Sequence, residues 1–404
     1  MKFKFNLKSS VAKECIVYLD YLKKINEGIY DIYVDFRKHK DLLLFQNLLG
    51  NIDLNSTYIE LKSIKTSKRL RRGCYYKLNL ALLSNVEYED VEDSFIIGRR
   101  YNMNQMRTPS SENSELLQTH SLLDASEMKH NNVNEGLLIP TLNSCGNKKI
   151  IIRDVDQANW NEIIEDDIIK IIFDLGARLH ASKAEVEKIF NARQSLLLKS
   201  KPMLVISHWD MDHIHCLKYL SDVEISQYFS SFICVNHMKS ITAENVYLKV
   251  LKGLGNNKVC CLNNPVRSNG TNMHFWKRSN NVSFYLGEKS SNINFTGICM
   301  FIKGRNKSVN FTGDVKLKQA KNAYDQELQR GMLTNEHILI APHHGGDYGA
   351  RVRTYSTPCT QVIISVGINN NYGHPDRLMY NFLNRLSVNN VIETSNSGDI
   401  CESI

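Results

Sequence analysis

A layered α/β fold is what this 404-residue chain predicts, on three observations. Short runs rich in Ile, Val and Phe recur at 150–156, 168–176, 203–206, 231–236, 282–286, 298–303, 308–312, 338–341 and 361–366. Stretches with helical spacing stand among them, at 182–199 and 377–386. Several runs break off into clusters of His, Asp and Gly, so strands end where polar chemistry begins. Strands grouped with helices between them suit packed sheets with helices outside.

Taken in order, residues 1–100 form a smaller mixed α/β region of their own. The spacing at 11–25 predicts a helix, 29–36 alternates like a strand, and 41–49 predicts a second helix. The stretch 62–77 gathers Lys62, Lys65, Lys68, Arg69, Arg71, Arg72 and Lys77, with Tyr75 and Tyr76 inside it. Cationic side chains beside aromatics can grip a nucleic-acid backbone and stack on bases. The plain alternative is a solvated basic face. From 101 to 149 the composition turns to Asn, Ser, Thr, Glu and Met with little periodicity, which predicts a polar linker or insertion. Its one candidate element is a short helix near 114–123. Residues 150–404 form the main domain. There, 150–156 and 168–176 read as an opening hairpin closed by a turn at Gly176. The helix 182–199 crosses back to a buried strand at 203–206.

That strand runs into His208-x-Asp210-x-Asp212-His213, four metal-ligand side chains within six residues. Such crowding is far from chance placement. Extended spacing sets His208, Asp210 and Asp212 on one side and His213 on the other, so one loop can feed two neighbouring metal positions. Three further clusters follow: Thr312-Gly313-Asp314, Pro342-His343-His344-Gly345 and Tyr372-Gly373-His374-Pro375.

These four blocks, in this order, resemble the metallo-β-lactamase superfamily, whose strand-end motif is His-x-His-x-Asp-His. The resemblance is closest to the hydrolase domain of DNA-uptake channel proteins of the ComEC type and their soluble relatives. It extends to Ser365-Val366-Gly367 and Asn370-x-Tyr372-Gly373-His374-Pro375, and covers roughly residues 150–400. It implies an αββα sandwich and one or two divalent ions, Zn²⁺ or Mn²⁺ foremost and Mg²⁺ next. Carried over residue by residue, His208 and Asp210 would hold one ion, Asp212 and His213 the other. Asp314 would bridge, and His343 and His374 would close the shells. His344 would then be a neighbour or proton donor, and Asp212, His344 and His374 the catalytic groups. Asn369 to Asn371 and Tyr372 would line the substrate entrance.

The chain departs from the pattern at three places. Asp210 replaces a histidine by a hard oxygen ligand, shifting preference towards Mn²⁺ or Mg²⁺. No histidine has the flanking pattern of the superfamily's middle ligand, although His237 and His274 lie in about the right region. Asp154-Val-Asp-Gln-Ala158 stands where Asp-Val-Gly-Gln-Gly is usual, so the turn at that edge differs. His215, His237, His274 and His337 otherwise read as ordinary structural or solvated histidines. Lys316 and Asp347 are polar neighbours without a role.

Composition bounds the rest. A net charge of +8 is compatible with a polyanionic partner without requiring one. Ten cysteines show no Cys-x-x-Cys pair, which predicts free thiols in a reducing compartment. The charged N-terminus suits no signal peptide, and no apolar run approaches the ~20 residues of a membrane helix. A cytoplasmic protein without a membrane partner is expected. The function expected is a metal-dependent hydrolase, a phosphodiesterase or nuclease acting on single-stranded DNA or RNA. Alternatives are a metallohydrolase of a small ester, lactone or nucleotide, and a binding or scaffold protein with a vestigial site.

Overall fold

The computed structural model describes residues 2–4, 14–48, 58–65, 70, 72–80, 87–91, 94–98, 101–102, 139–179, 181–265, 272–290, 292–346, 360–368, 370, 372–385, 388 and 390–404. The chain divides into two compact units. Met1–Glu127 joins Met238–Tyr247 in the first, and Met128–His237 joins Leu248–Ile404 in the second.

The first unit is built on an eight-stranded sheet with the helix His39–Leu48 and the start of the helix Ile241–Leu254. Its long strand Glu14–Asn26 corrects the helix expected over 11–25. Cys15, Val17 and Leu19 alternate into the core, but Tyr18 and Asp20 on the other face are buried too. Burial on both faces hides the period of two that would have announced a strand. The strand Ile29–Phe36 and the helix His39–Leu48 stand where the spacing placed them.

The basic stretch also resolves. Tyr75 and Tyr76 lie on the strand Cys74–Asn79 and are 2% and 1% exposed, so neither can stack on a base. Tyr75 donates its hydroxyl to the Lys239 carbonyl at 2.7 Å. Lys62 pairs with Glu60 at 3.6 Å, and Arg72 donates to the Asp20 carbonyl at 2.7 Å. Lys68, Arg69, Arg71 and most of the linker at 103–138 lie outside the described residues.

The second unit is the αββα sandwich. Its first sheet runs Val259–Leu262, Ser231–Val235, Met203–Val205, Ile168–Leu175, Trp160–Glu165, Lys148–Ile152, Ile400–Ser403 from edge to edge. The second runs Met273–Ser279, Val282–Gly287, Ile298–Lys303, Lys307–Phe311, Glu336–Ile340, Gln361–Ile364, Val391–Glu393. In the order given, the first sheet passes from parallel pairs to antiparallel ones and the second from antiparallel pairs to parallel ones. Phe173 of one sheet meets Phe311 of the other, their ring centroids 5.7 Å apart. On the outside of the second sheet pack Leu317, Ala320, Ala323 and Tyr324 of the helix Leu317–Gln329. Met379, Phe382 and Leu383 of the helix Arg377–Arg385 complete that layer. Phe190 of Lys183–Asn191 covers Trp160 of the first sheet.

Two expectations need correction here. The opening hairpin is a three-stranded meander whose centre is Trp160–Glu165. Its carboxylates disguised it as a turn, yet Glu162 is fully buried and held by Arg193 at 2.9 Å. The helix expected over 182–199 is two, Lys183–Asn191 and Gln194–Ser200. No helix among the described residues is long and apolar enough to cross a membrane.

Candidate metal centre

The site lies at the carboxyl ends of strands Met203–Val205, Lys307–Phe311 and Glu336–Ile340, where parallel neighbours leave loops free to present side chains. The ligand loop is shorter than its spacing suggests. Asp210 caps the helix Met211–Tyr219, so Asp212 and His213 ride on its first turn rather than on an extended segment. Gly176 lets that turn approach, because a Cβ there would lie 1.8 Å from the Asp212 carbonyl. Gly313 has φ +52 and sits against Ser207, turning the chain so that Asp314 faces inward. His343 and His344 are both left-handed, at φ 51 and 54, a conformation costing about 1–3 kcal/mol per residue that is typically kept at functional sites.

Two ligand groups emerge. His208, His213 and Asp314 form one, and Asp212, His213 and His344 the other, every member buried. Asp314 faces both: its Oδ2 lies 3.8 Å from His208 Nε2, and its Oδ1 lies 3.1 Å from His213 Nε2 and 4.0 Å from His344 Nε2. Asp212 Oδ2 is 3.5 Å from His344 Nε2. Ligands about 2.0–2.1 Å from a tetrahedral ion lie roughly 3.3–3.5 Å from one another, so the spacing suits a cation.

Hydrogen bonds orient the rings. His213 Nδ1 donates to Asp174 Oδ2 at 2.8 Å, and His208 Nδ1 lies 3.0 Å from Ser207 Oγ, which itself donates to Asp174 at 2.9 Å. His344 Nδ1 donates to the Ser365 carbonyl at 2.8 Å. Each bond leaves Nε2 as an inward acceptor. The Nε2 atoms of all three histidines, with Asp212 Oδ2 and Asp314 Oδ1, are buried and make no hydrogen bond among the described residues. Acceptors crowded against acceptors repel unless a proton or a cation lies between them. The donor set therefore fits a divalent ion.

The electrostatics agree. Burial opposes the charge on Asp314, yet the imidazoles of His343 and His213 overcome it and hold the carboxyl well below the usual range. At Asp212 burial is likewise outweighed, by the nearby imidazoles of His344 and His213, and its pKa falls. Burial disfavours a proton on His213, but Asp174 and Asp314 raise its pKa well above that of an ordinary histidine. Two carboxylates held ionised beside an imidazole that favours positive charge present the negative field that a metal ion would exploit.

The other expected residues are placed as follows. Asp210 lies beside the first group, 3.4 Å from His208 Nε2. His343 turns Nδ1 onto Asp314 Oδ2, so His344 rather than His343 enters a ligand group. His374 is one ring further out, 5.2 Å from His343 between centroids, and its backbone is pinned by Asn370. Tyr372 stacks on it at 5.8 Å. His274 pairs with Glu288, His215 with the Arg178 carbonyl and His337 with Ser308. Burial pushes His337 down to about 3. His237 is buried at the end of its strand and belongs to neither group. Lys316 covers the Phe295 ring at 4.1 Å. Asp347, Asn369 and Asn371 lie outside the described residues.

Three residues went unread. Asp174, near the end of the strand Ile168–Leu175, and Ser207, beside the first ligand, were given no role by the sequence. Asn294, 3% exposed, lies 3.4 Å from Asp314 Oδ2 and 3.5 Å from His343 Nδ1, where a further histidine was sought. Its signal was its place shortly before the strand leading to Thr-Gly-Asp.

Fold and site together define an αββα sandwich with a buried histidine–carboxylate centre. No protein-family profile matches the chain, and no curated protein does. Among solved structures, it is similar to the metallo-β-lactamase fold protein YhfI from Bacillus subtilis. The TM-score is 0.38 at 11% identity, over 63% of this chain and 99% of that one.

Proposed function

We propose that the protein is a metal-dependent hydrolase that cleaves phosphodiesters, with single-stranded DNA or RNA as the substrate class. The observation that carries the reading is the ring of inward, buried, unbonded Nε2 and carboxylate atoms in two groups sharing His213. His208, Asp210 and Asp314 would hold one ion, and Asp212 and His344 a second, with the single Nε2 lone pair of His213 serving one of the two. Mixed oxygen and nitrogen donors suit Zn²⁺ or Mn²⁺, with Mg²⁺ the harder alternative. Bound there, a divalent ion supplies an activated water at neutral pH and polarises the bond to be cleaved.

The chain's own residues do the rest. Asp174 and Ser207 fix the tautomers of His213 and His208. Asn294 offers an amide proton to developing negative charge beside Asp314. His374, held by Asn370 at the outer edge, is the candidate proton donor to the leaving oxygen. The tyrosines at 75 and 76 are buried and take no part in stacking on a base. The nine cysteines among the described residues are free thiols, which suits a reducing, cytoplasmic setting.

The test pairs metal analysis with end-labelled single-stranded DNA and RNA under Mn²⁺, Mg²⁺ or Zn²⁺. Cleavage is expected, reduced about a thousandfold in Asp212→Ala together with loss of bound metal. Wild-type turnover in that variant would sink the assignment.

A further inference from the structure

A cleft of about 540 Å³ opens in the second unit and shares chain segments with the metal centre. Gly367 and Ile368 line it, from the segment whose Ser365 carbonyl orients His344. Asp154 and Asp156 enter from the turn after Lys148–Ile152, and the same turn leads to Asn159, whose N–H donates to the Asp212 carbonyl at 3.0 Å. Arg178 comes from the loop after Ile168–Leu175, and Lys188 from the helix Lys183–Asn191. Ile189 and Ala192 supply an apolar wall.

The turn is built around one carboxylate. Asp156 has φ +65, where glycine would be unstrained and where the resemblance led us to expect one. Its Oδ1 accepts from Gln157 N–H at 3.0 Å and lies over Gly367, where a Cβ would come within 1.5 Å. A residue in a costly conformation and a bare glycine opposite it both serve to hold that carboxylate at the cleft. Of the three cations lining the cleft, Arg153 pairs with Asp399 at 2.7 Å. Arg178 pairs with Glu185, but Lys188 is exposed and has no ion-pair partner among the described residues.

We propose that the cleft binds one nucleotide unit, its phosphate at Lys188 and Arg178 and its sugar hydroxyls at Asp156 and Asp154. This rests on the phosphodiesterase reading, of which it is the recognition subsite. Carboxylates repel a polyanion unless the ligand brings donors to them, and the vicinal hydroxyls of ribose are such donors. The apolar wall suits the face of a base. The volume falls within the roughly 300–1,000 Å³ of small-molecule sites.

Calorimetric titration of the full chain with adenosine monophosphate, its 2′-deoxy counterpart and inorganic phosphate tests this. The ribonucleotide is expected to bind at about millimolar concentration or below, more tightly than the other two. Ala192→Trp, which fills the cleft from an exposed position, and Lys188→Glu should each weaken it at least about tenfold. Asp156→Asn should remove the preference for ribose. No nucleotide binding, binding unchanged by Ala192→Trp, or phosphate binding as tightly as nucleotide would overturn the proposal. Metal-dependent hydrolysis of bis-p-nitrophenyl phosphate, read in parallel, separates the two readings. Nucleotide binding without hydrolysis removes the phosphodiesterase and keeps the cleft, whereas hydrolysis without nucleotide binding removes the cleft.

Discussion

Both units bury charge, and they do so in opposite ways. In the first, Lys239 meets Asp20 at 2.7 Å and lies over the Tyr18 ring at 4.5 Å, all of them nearly inaccessible. In the second, carboxylates and imidazole acceptors converge on one another with their inner atoms unbonded. A buried pair of opposite sign closes on itself and serves the fold. A buried set of like acceptors is unfinished without a cation and serves chemistry. Partner sign, more than burial, separates the structural centre from the functional one.

The comparison can be broken most directly at Lys239. Lys239→Met removes the cation that faces the buried Asp20 carboxylate and should cost the first unit about 3–5 kcal/mol. Denaturant unfolding would read the loss, and metal content should stay at the wild-type level. A fall in bound metal of the same size would erase the distinction between the two centres.

Next in size is Asp35, also buried in the first unit. Burial pushes its carboxyl up to about 6, although Ser240, Thr242 and Lys239 favour the charged form. A folded pKa above the unfolded value contributes stability that is complete below about pH 4 and is lost as pH rises through 6. Asp35→Asn should therefore stabilise the first unit at pH 7–8 by up to about 3 kcal/mol, from a shift of roughly two units. The gain should vanish near pH 4. Unfolding curves across that range check it, and a pH-independent gain would contradict it.

The smallest effect sharpens the other side. Asp174 touches no expected ligand except through the rings it orients. Asp174→Asn should lower metal affinity about 10–100-fold, as loss of an orienting carboxylate does. Competition with a chromogenic chelator measures it. An affinity within about twofold of wild type would make Asp174 a packing residue only.

Legibility followed the same division. The ligand loop could be picked out from sequence by its crowding of His and Asp, whereas Asp314 and His343-His344 were picked out only through the order of the resembling blocks. Asp174, Ser207 and Asn294 were invisible because their roles exist only once distant strands are brought together. Among the elements, apolar runs bounded by turns were readable. The strand Trp160–Glu165 was not, because its buried Glu162 takes its partner from Arg193, 31 residues away in the chain. The strand Glu14–Asn26 was missed because burial on both faces removes the alternation that marks a one-sided strand.

The short insertion Met238–Tyr247 bears on how the protein is made. Ile241 sits in the first unit's apolar core, Lys239 neutralises Asp20, and Glu244 reaches Arg37 at 3.2 Å. A ribosome that has released the first 127 residues has therefore not yet produced a complete first unit. The early sheet must wait with its polar interior open until residue 247 has emerged, by which time the ligand segment His208 to His213 is already out. Synthesis thus interleaves the two units, and a chain cut at their apparent border would lack the piece that closes the first.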